Sequence, residues 1–87
     1  MRPLRVSTVI ARNIGSETLL YNADEEVIHV LNPVAKLIWD LCDGEHAPEH
    51  MEQMIRQSFS VSDAHDVGSD IQRTLGTFAE RGLLKMP

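Results

Sequence analysis

The dipeptide Asn32-Pro33 divides this chain into two parts of different character, and it constrains the fold more than any other feature. Asparagine can cap the orphan amides at a helix start, and proline in the first helical position gives up no hydrogen bond while pre-setting the backbone angle. The residues before it read as strand. Val6-Ser7-Thr8-Val9-Ile10-Ala11 crowds β-branched residues into a short run, Gly15-Ser16 supplies a turn, and Thr18-Leu19-Leu20-Tyr21 continues as a second strand. Asn22-Ala23-Asp24-Glu25 is turn chemistry, because short Asx side chains bond their own backbone, and Val27-Ile28-His29-Val30-Leu31 makes a third strand. Three antiparallel strands in sequence order form a meander whose last strand is an edge.

Beyond Pro33 the pattern becomes helical. Val34, Leu37, Ile38 and Leu41 recur at helical spacing, Ala35, Trp39 and Cys42 fill a second side, and Asp43-Gly44 supplies a stop. The first helix is therefore expected at the centre of the core, with Trp39 inside it. A second helix starts at Ala47-Pro48, where Glu49 and Glu52 complement the helix dipole and Met51, Met54, Ile55 and Phe59 share one face. The third is predicted from about Asp63 to Arg81, with Val67, Ile71, Leu75 and Phe78 as its buried stripe. Gly68 and Gly76 each weaken that helix by roughly 1 kcal/mol relative to alanine, so docking must supply its stability. Gly82 suits the left-handed position of a Schellman cap, folding Leu83 back onto Phe78. The expected fold class is α+β: an N-terminal three-stranded antiparallel sheet followed by three helices.

At 87 residues, with 43% apolar and 24% charged residues, the chain fits one folded domain spanning residues 1–87 with a modest core. Its net charge of -5 repels phosphate backbones and anionic membrane surfaces, which argues against nucleic-acid and membrane partners. No apolar run approaches the roughly 20 residues that cross a bilayer, and Met1 to Arg5 does not lead into an apolar signal core. A lone cysteine, Cys42, closes no intrachain disulfide and suits a reducing compartment; the expected location is the cytoplasm.

Catalytic chemistry finds little support. His46 and His50 are four apart, but Pro48 between them puts His46 outside the regular helix, and no third metal ligand accompanies them. His29 and His65 lie on other elements. Cys42 sits in an apolar helix, where a small buried thiol is a commoner role than a nucleophile. The run Asp24-Glu25-Glu26 solvates a hairpin tip, and Met51 and Met54 read as core filling. A glycine-rich phosphate loop, a paired-cysteine motif and a nucleophile elbow are all missing from the sequence. The expectation is a protein that is not an enzyme, with no cofactor and no metal.

The run Leu31-Asn32, Ala35, Ile38-Trp39, Leu41 and Asp43-Gly44, with Gly82-Leu83-Leu84 near the end, resembles the PqqD family of pyrroloquinoline quinone biosynthesis protein D and its relatives. The resemblance implies a winged-helix-like recognition element for ribosomally made, modified peptides. Such proteins bind the leader segment of a precursor peptide and present it to a modifying enzyme, often a radical SAM protein. It further implies that the leader adds as a strand to the third β-strand and leans on the third helix. By position, the peptide-binding residues would be Val27, Ile28, His29, Val30 and Leu31, with Val67, Asp70, Ile71 and Thr74.

Two other readings compete with this adaptor. A winged-helix nucleic-acid binder would present His65, Asp66, Asp70, Gln72 and Arg73 to a groove lined by phosphates, a poor set for that purpose. A structural subunit of an enzyme complex would use the same surfaces for a permanent contact.

Overall fold

The computed structural model describes residues 2–22, 27–62 and 64–85. In chain order it contains β1 (Leu4–Arg5), β2 (Val9–Ile14), β3 (Glu17–Asn22), β4 (Val27–Leu31), α1 (Pro33–Asp40), α2 (Pro48–Ser58), α3 (Val67–Glu80) and β5 (Leu84–Lys85). The α+β class and the expected meander are both present, with β3 between β2 and β4. Ile10, Tyr21 and Ile28 stand in one row across the three strands, and Arg12, Leu19 and Val30 in the next row on the same face. Gly15-Ser16 joins Ile14 to Glu17, and Gly15 takes a φ of 61°, the left-handed value that two-residue hairpin loops require at their first position. Of the turn expected over Asn22 to Glu25, and of the acidic run Asp24 to Glu26, all but Asn22 lies outside the described residues.

The meander begins at Val9, three residues later than the β-branched run suggests. Val6 instead donates its N–H to the Leu83 carbonyl at 2.9 Å, and the residues before it pair with the C-terminal segment. In that second, two-stranded sheet Leu4 faces Lys85 and Arg5 faces Leu84. Further bonds from Arg5 N–H to the Cys42 carbonyl and from Gly44 N–H to the Pro3 carbonyl, both at 2.8 Å, lace the N-terminal segment to the loop after α1.

At the switch point Asn32 Oδ1 accepts the Ala35 N–H at 2.8 Å, so the helix begins as its sequence dictates. It ends at Asp40, short of the Asp43-Gly44 stop, because its last carbonyls find a different partner. The Arg5 guanidinium donates to Asp40 O at 2.8 Å and to Trp39 O at 2.9 Å, the latter also accepting the Cys42 N–H at 3.1 Å, and places a cation at the negative end of the helix dipole. Gly44, with φ of 83°, then turns the chain toward α2.

The start of α2 has no side-chain cap at Ala47. Met51 and Ile55 are buried, but Met54 is 38% exposed, so the apolar face of α2 is narrower than its sequence suggests. Ala64 and His65 form a turn ahead of α3, and Arg56 holds that connection by donating to His65 O at 2.9 Å and Ser62 O at 3.4 Å. The helix itself starts at Val67, where Asp66 accepts the Ser69 N–H at 3.0 Å and the Ser69 hydroxyl at 2.8 Å. Its other end is a Schellman cap: Gly82 has φ of 70°, Leu83 N–H reaches Phe78 O at 2.9 Å, and Gly82 N–H reaches Ala79 O at 3.1 Å.

The core forms where the inner face of the sheet, through Leu20 and Leu31, meets all three helices. Ile38, Trp39 and Cys42 come from α1 and its end, Met51 and Ile55 from α2, and Val67, Ile71, Leu75 and Phe78 from α3, with Leu83 closing the base. Trp39 meets Phe78 edge to face, ring centroids 5.5 Å apart, and Arg5 lies over the indole at 5.9 Å.

Candidate functional site

A strand paired on one side only offers unsatisfied backbone N–H and C=O groups along its other side. Among the described residues β4 is such a strand, bonded to β3 alone. Its side chains alternate as the pleat requires: His29 and Leu31 are buried on the helix side, while Ile28 and Val30, each more than half exposed, project from the outer face. Ile10, Ile14 and Tyr21 are exposed on that same outer face, so the sheet presents an apolar surface away from the helices.

Beside the β4 edge a cleft of about 250 Å³ opens between the strand and α3. Val30 and Leu31 line it from the strand, Thr74, Thr77 and Arg81 from the helix, and the buried Phe78 and Leu83 form its floor. The gap is spanned where Arg81 Nη1 donates to His29 Nδ1 at 2.8 Å. That bond assigns the imidazole proton to the other ring nitrogen, since an arginine can only donate. The two threonine hydroxyls are engaged within their own helix, Thr74 to Asp70 O at 2.8 Å and Thr77 to Arg73 O at 3.1 Å.

Charge in the cleft is cationic. Arg73 also lines it and is held by Asp70 at 2.8 Å, while Arg81 makes no ion pair with a carboxylate among the described residues. The Asp70 carboxyl is kept below the usual carboxylate range, first by its hydrogen bond to His65 and then by the charges of His65 and Arg73.

Of the residues expected to bind peptide, the structure brings His29, Val30, Leu31 and Thr74 together at the cleft. Ile28 faces the outer side of the sheet, and Val27 takes its place in the backbone ladder opposite Asn22. Val67 and Ile71 are buried in the core rather than lining the cleft, at 2% and 0% exposure, and Asp70 acts through its bonds to Arg73 and Thr74. Ala35, Arg73, Thr77, Phe78, Arg81 and Leu83 join the site beyond the residues expected from the sequence. A signal for part of this set is present: Thr74, Thr77 and Arg81, at i, i+3 and i+7, run along the border of the apolar stripe of α3, where a half-open cleft belongs.

Cys42 and His46 are otherwise engaged. Burial pushes the Cys42 thiol up to about 12, and its Sγ donates to Ile38 O at 3.2 Å, so the reactive thiolate does not form near neutrality. His46 is bonded to Asp43 at 2.9 Å, and no group of three or more potential metal ligands gathers among the described residues.

A family profile described as coenzyme PQQ synthesis protein D (PqqD) matches residues 17–84, from the start of β3 to β5. The chain belongs to the PqqD family. Two solved structures share its fold. TbiB1, in complex with the TbiA(beta) leader peptide, superposes with a TM-score of 0.81 at 24% identity, over 97% of this chain and 96% of that one. A lasso peptide synthetase B1 complexed with the leader peptide gives 0.83 at 17% identity, over 99% and 100%. No curated protein sequence matches the chain significantly.

Proposed function

We propose that this PqqD-family protein is a non-catalytic adaptor that binds the leader segment of a ribosomally made precursor peptide and presents it to a modifying enzyme, a radical SAM protein being one candidate. One observation carries the reading: the open edge of β4 and the cleft against α3 lie side by side, so one extended segment can use both. The leader adds as a fourth strand, alternate side chains enter the cleft, and the others lie beside Ile28 and Val30 on the outer face. Because Arg81 and Arg73 line the cleft, the bound segment carries an acidic side chain among its apolar anchors. Both solved neighbours hold leader peptides, which supports this class of ligand. The unpaired, buried Cys42 suits work in a reducing cytoplasm.

The energetics favour a hand-off. About four backbone hydrogen bonds at ~1 kcal/mol each and three apolar anchors at ~2 kcal/mol each give ~10 kcal/mol gross. Ordering a disordered peptide removes ~2 to 4 kcal/mol, leaving an affinity between tens of micromolar and about one micromolar. Titrating the labelled protein with synthetic leaders from short reading frames beside its gene tests the proposal. Amide shifts should move at Ile28 to Leu31 and at Thr74, Thr77 and Arg81. Thr77→Trp, which plugs the cleft from a half-buried position on α3, should remove binding with an unchanged circular dichroism spectrum. Shifts clustered on α2 would refute the site. The nucleic-acid alternative finds no corresponding feature, since the cleft is small and Asp70 and Asp66 stand at the start of α3.

A further inference from the structure

A second and larger groove lies on the opposite side of α3 from the leader cleft. It holds about 710 Å³ and is walled by Leu4 and Leu84 from the β1–β5 pair and by Leu75 and Ala79 from the helix. Thr74, Thr77 and Arg81 project to one side of α3, while Gln72, Leu75, Gly76 and Ala79 project to the other, as their i, i+3, i+4, i+7 spacing requires. Leu4 is 39% exposed and turns apolar surface toward the groove. Gly76, in mid-helix, is the weakest ordinary helix former, yet a Cβ built on it would meet nothing within 4 Å. Packing inside the molecule therefore gives no reason for a glycine there.

The mouth of this groove is charged in one sense. Arg2 and Lys85 stand on its rim, and neither forms an ion pair among the described residues, in a chain whose net charge is -5. We infer that the groove is a second docking site, and that its occupant is an amphipathic helix with acidic residues beside its apolar face, supplied by the enzyme that receives the leader. This rests on the adaptor reading, since an adaptor needs one surface for cargo and another for its recipient. The groove is open along α3, so an alkyl chain in it would remain half in water; a helix laid across Gly76 covers it with two or three large anchors. Acidic flanks on that helix meet Arg2 and Lys85, against the repulsion of the rest of the surface. Both sites share α3, so occupancy of one can be felt at the other.

A phage-displayed library of 18-residue helical peptides, selected on the wild-type protein and depleted on Gly76→Leu, tests this directly. Leucine at that position fills the groove, clashes with nothing near its Cβ, and favours the helix. Selected peptides should carry leucine or isoleucine at i, i+3 or i+4, and i+7 with aspartate or glutamate alongside. They should shift the amides of Leu4, Gly76 and Leu84, and weaken at least ~10-fold on Lys85→Glu. Failure to recover any Gly76-dependent peptide, recovery of basic or extended sequences, or indifference to Lys85→Glu would overturn the inference. Leader binding read at Ile28 to Leu31 on the same variants reports separately on the adaptor reading: if it fails while helix binding persists, the first site is at fault and not the second.

Discussion

Replacing Trp39 by alanine should come close to unfolding this protein, and the structure says why. The indole is 4% exposed, meets Phe78 edge to face at 5.5 Å between centroids, and lies under the Arg5 guanidinium at 5.9 Å. Truncating a buried aromatic costs ~3 to 5 kcal/mol, and the edge-to-face and cation–π contacts, each worth ~0.5 to 1 kcal/mol, put this site in the upper half of that range. A chain of this size has a total stability of roughly 4 to 13 kcal/mol. The loss is also positional, because Phe78 is the floor of the cleft beside β4 and Trp39 is its support from α1. Urea unfolding followed by far-ultraviolet circular dichroism is the appropriate assay, since the tryptophan signal disappears with the substitution. Trp39→Phe, which keeps a ring against Phe78, should cost only ~1 to 2 kcal/mol. At roughly 4 to 8 °C per kcal/mol for a domain of this length, the alanine variant should melt more than ~15 °C below wild type; a drop under ~5 °C would show that the indole does not hold α1 to α3.

Gly82→Ala should destabilise by ~1 to 2 kcal/mol, because the Schellman position holds φ of 70°, and the urea midpoint should fall with an unchanged slope. Cys42 should resist alkylation by iodoacetamide at pH 8 in the native state and react at once in denaturant, given a thiol pushed up to about 12. Asp43, Asp66 and Asp70 all have folded pKa values lowered, by the His46 hydrogen bond, the Ser69 N–H and the His65 hydrogen bond respectively, so each adds stability above the unfolded value near ~4 that is lost as pH falls through the folded value. Helix content monitored from pH 6 to 2 should therefore decline on the acid side of ~4, and Asp66→Asn, which still caps Ser69, should make that decline shallower.

The parts of the fold that are legible in the sequence are those whose signals are local. Asn32-Pro33 and Gly82-Leu83 mark helix ends through bonds reaching only a few residues along the chain, and they stand where their chemistry puts them. The end of α1 departs from its sequence signal because Arg5, more than thirty residues away, satisfies its carbonyls before the Asp43-Gly44 stop is reached. The β1–β5 pair is invisible for a related reason: two residues cannot display a period, and their partners lie at the far end of the chain. At the site, the edge strand is legible, since a meander must end in one. The helix wall is less so, because an apolar stripe marks what a helix buries, and Val67 and Ile71 lie inside the core. A cleft is built from the residues bordering the stripe, and Thr74 is the member of the expected set that stands there.

The pairing of Leu4–Arg5 with Leu84–Lys85 brings the two extremities of the described chain together as neighbouring strands. A unit closed in this way has entry and exit points only one strand spacing apart, roughly 5 Å. It can be spliced into a surface loop of a larger protein without prying that host apart, or rejoined end to end and reopened at the Gly15-Ser16 hairpin, whose Gly15 has open space around it. The same geometry that locks the N-terminal segment against the C-terminal one thus sets both connections of the described chain side by side.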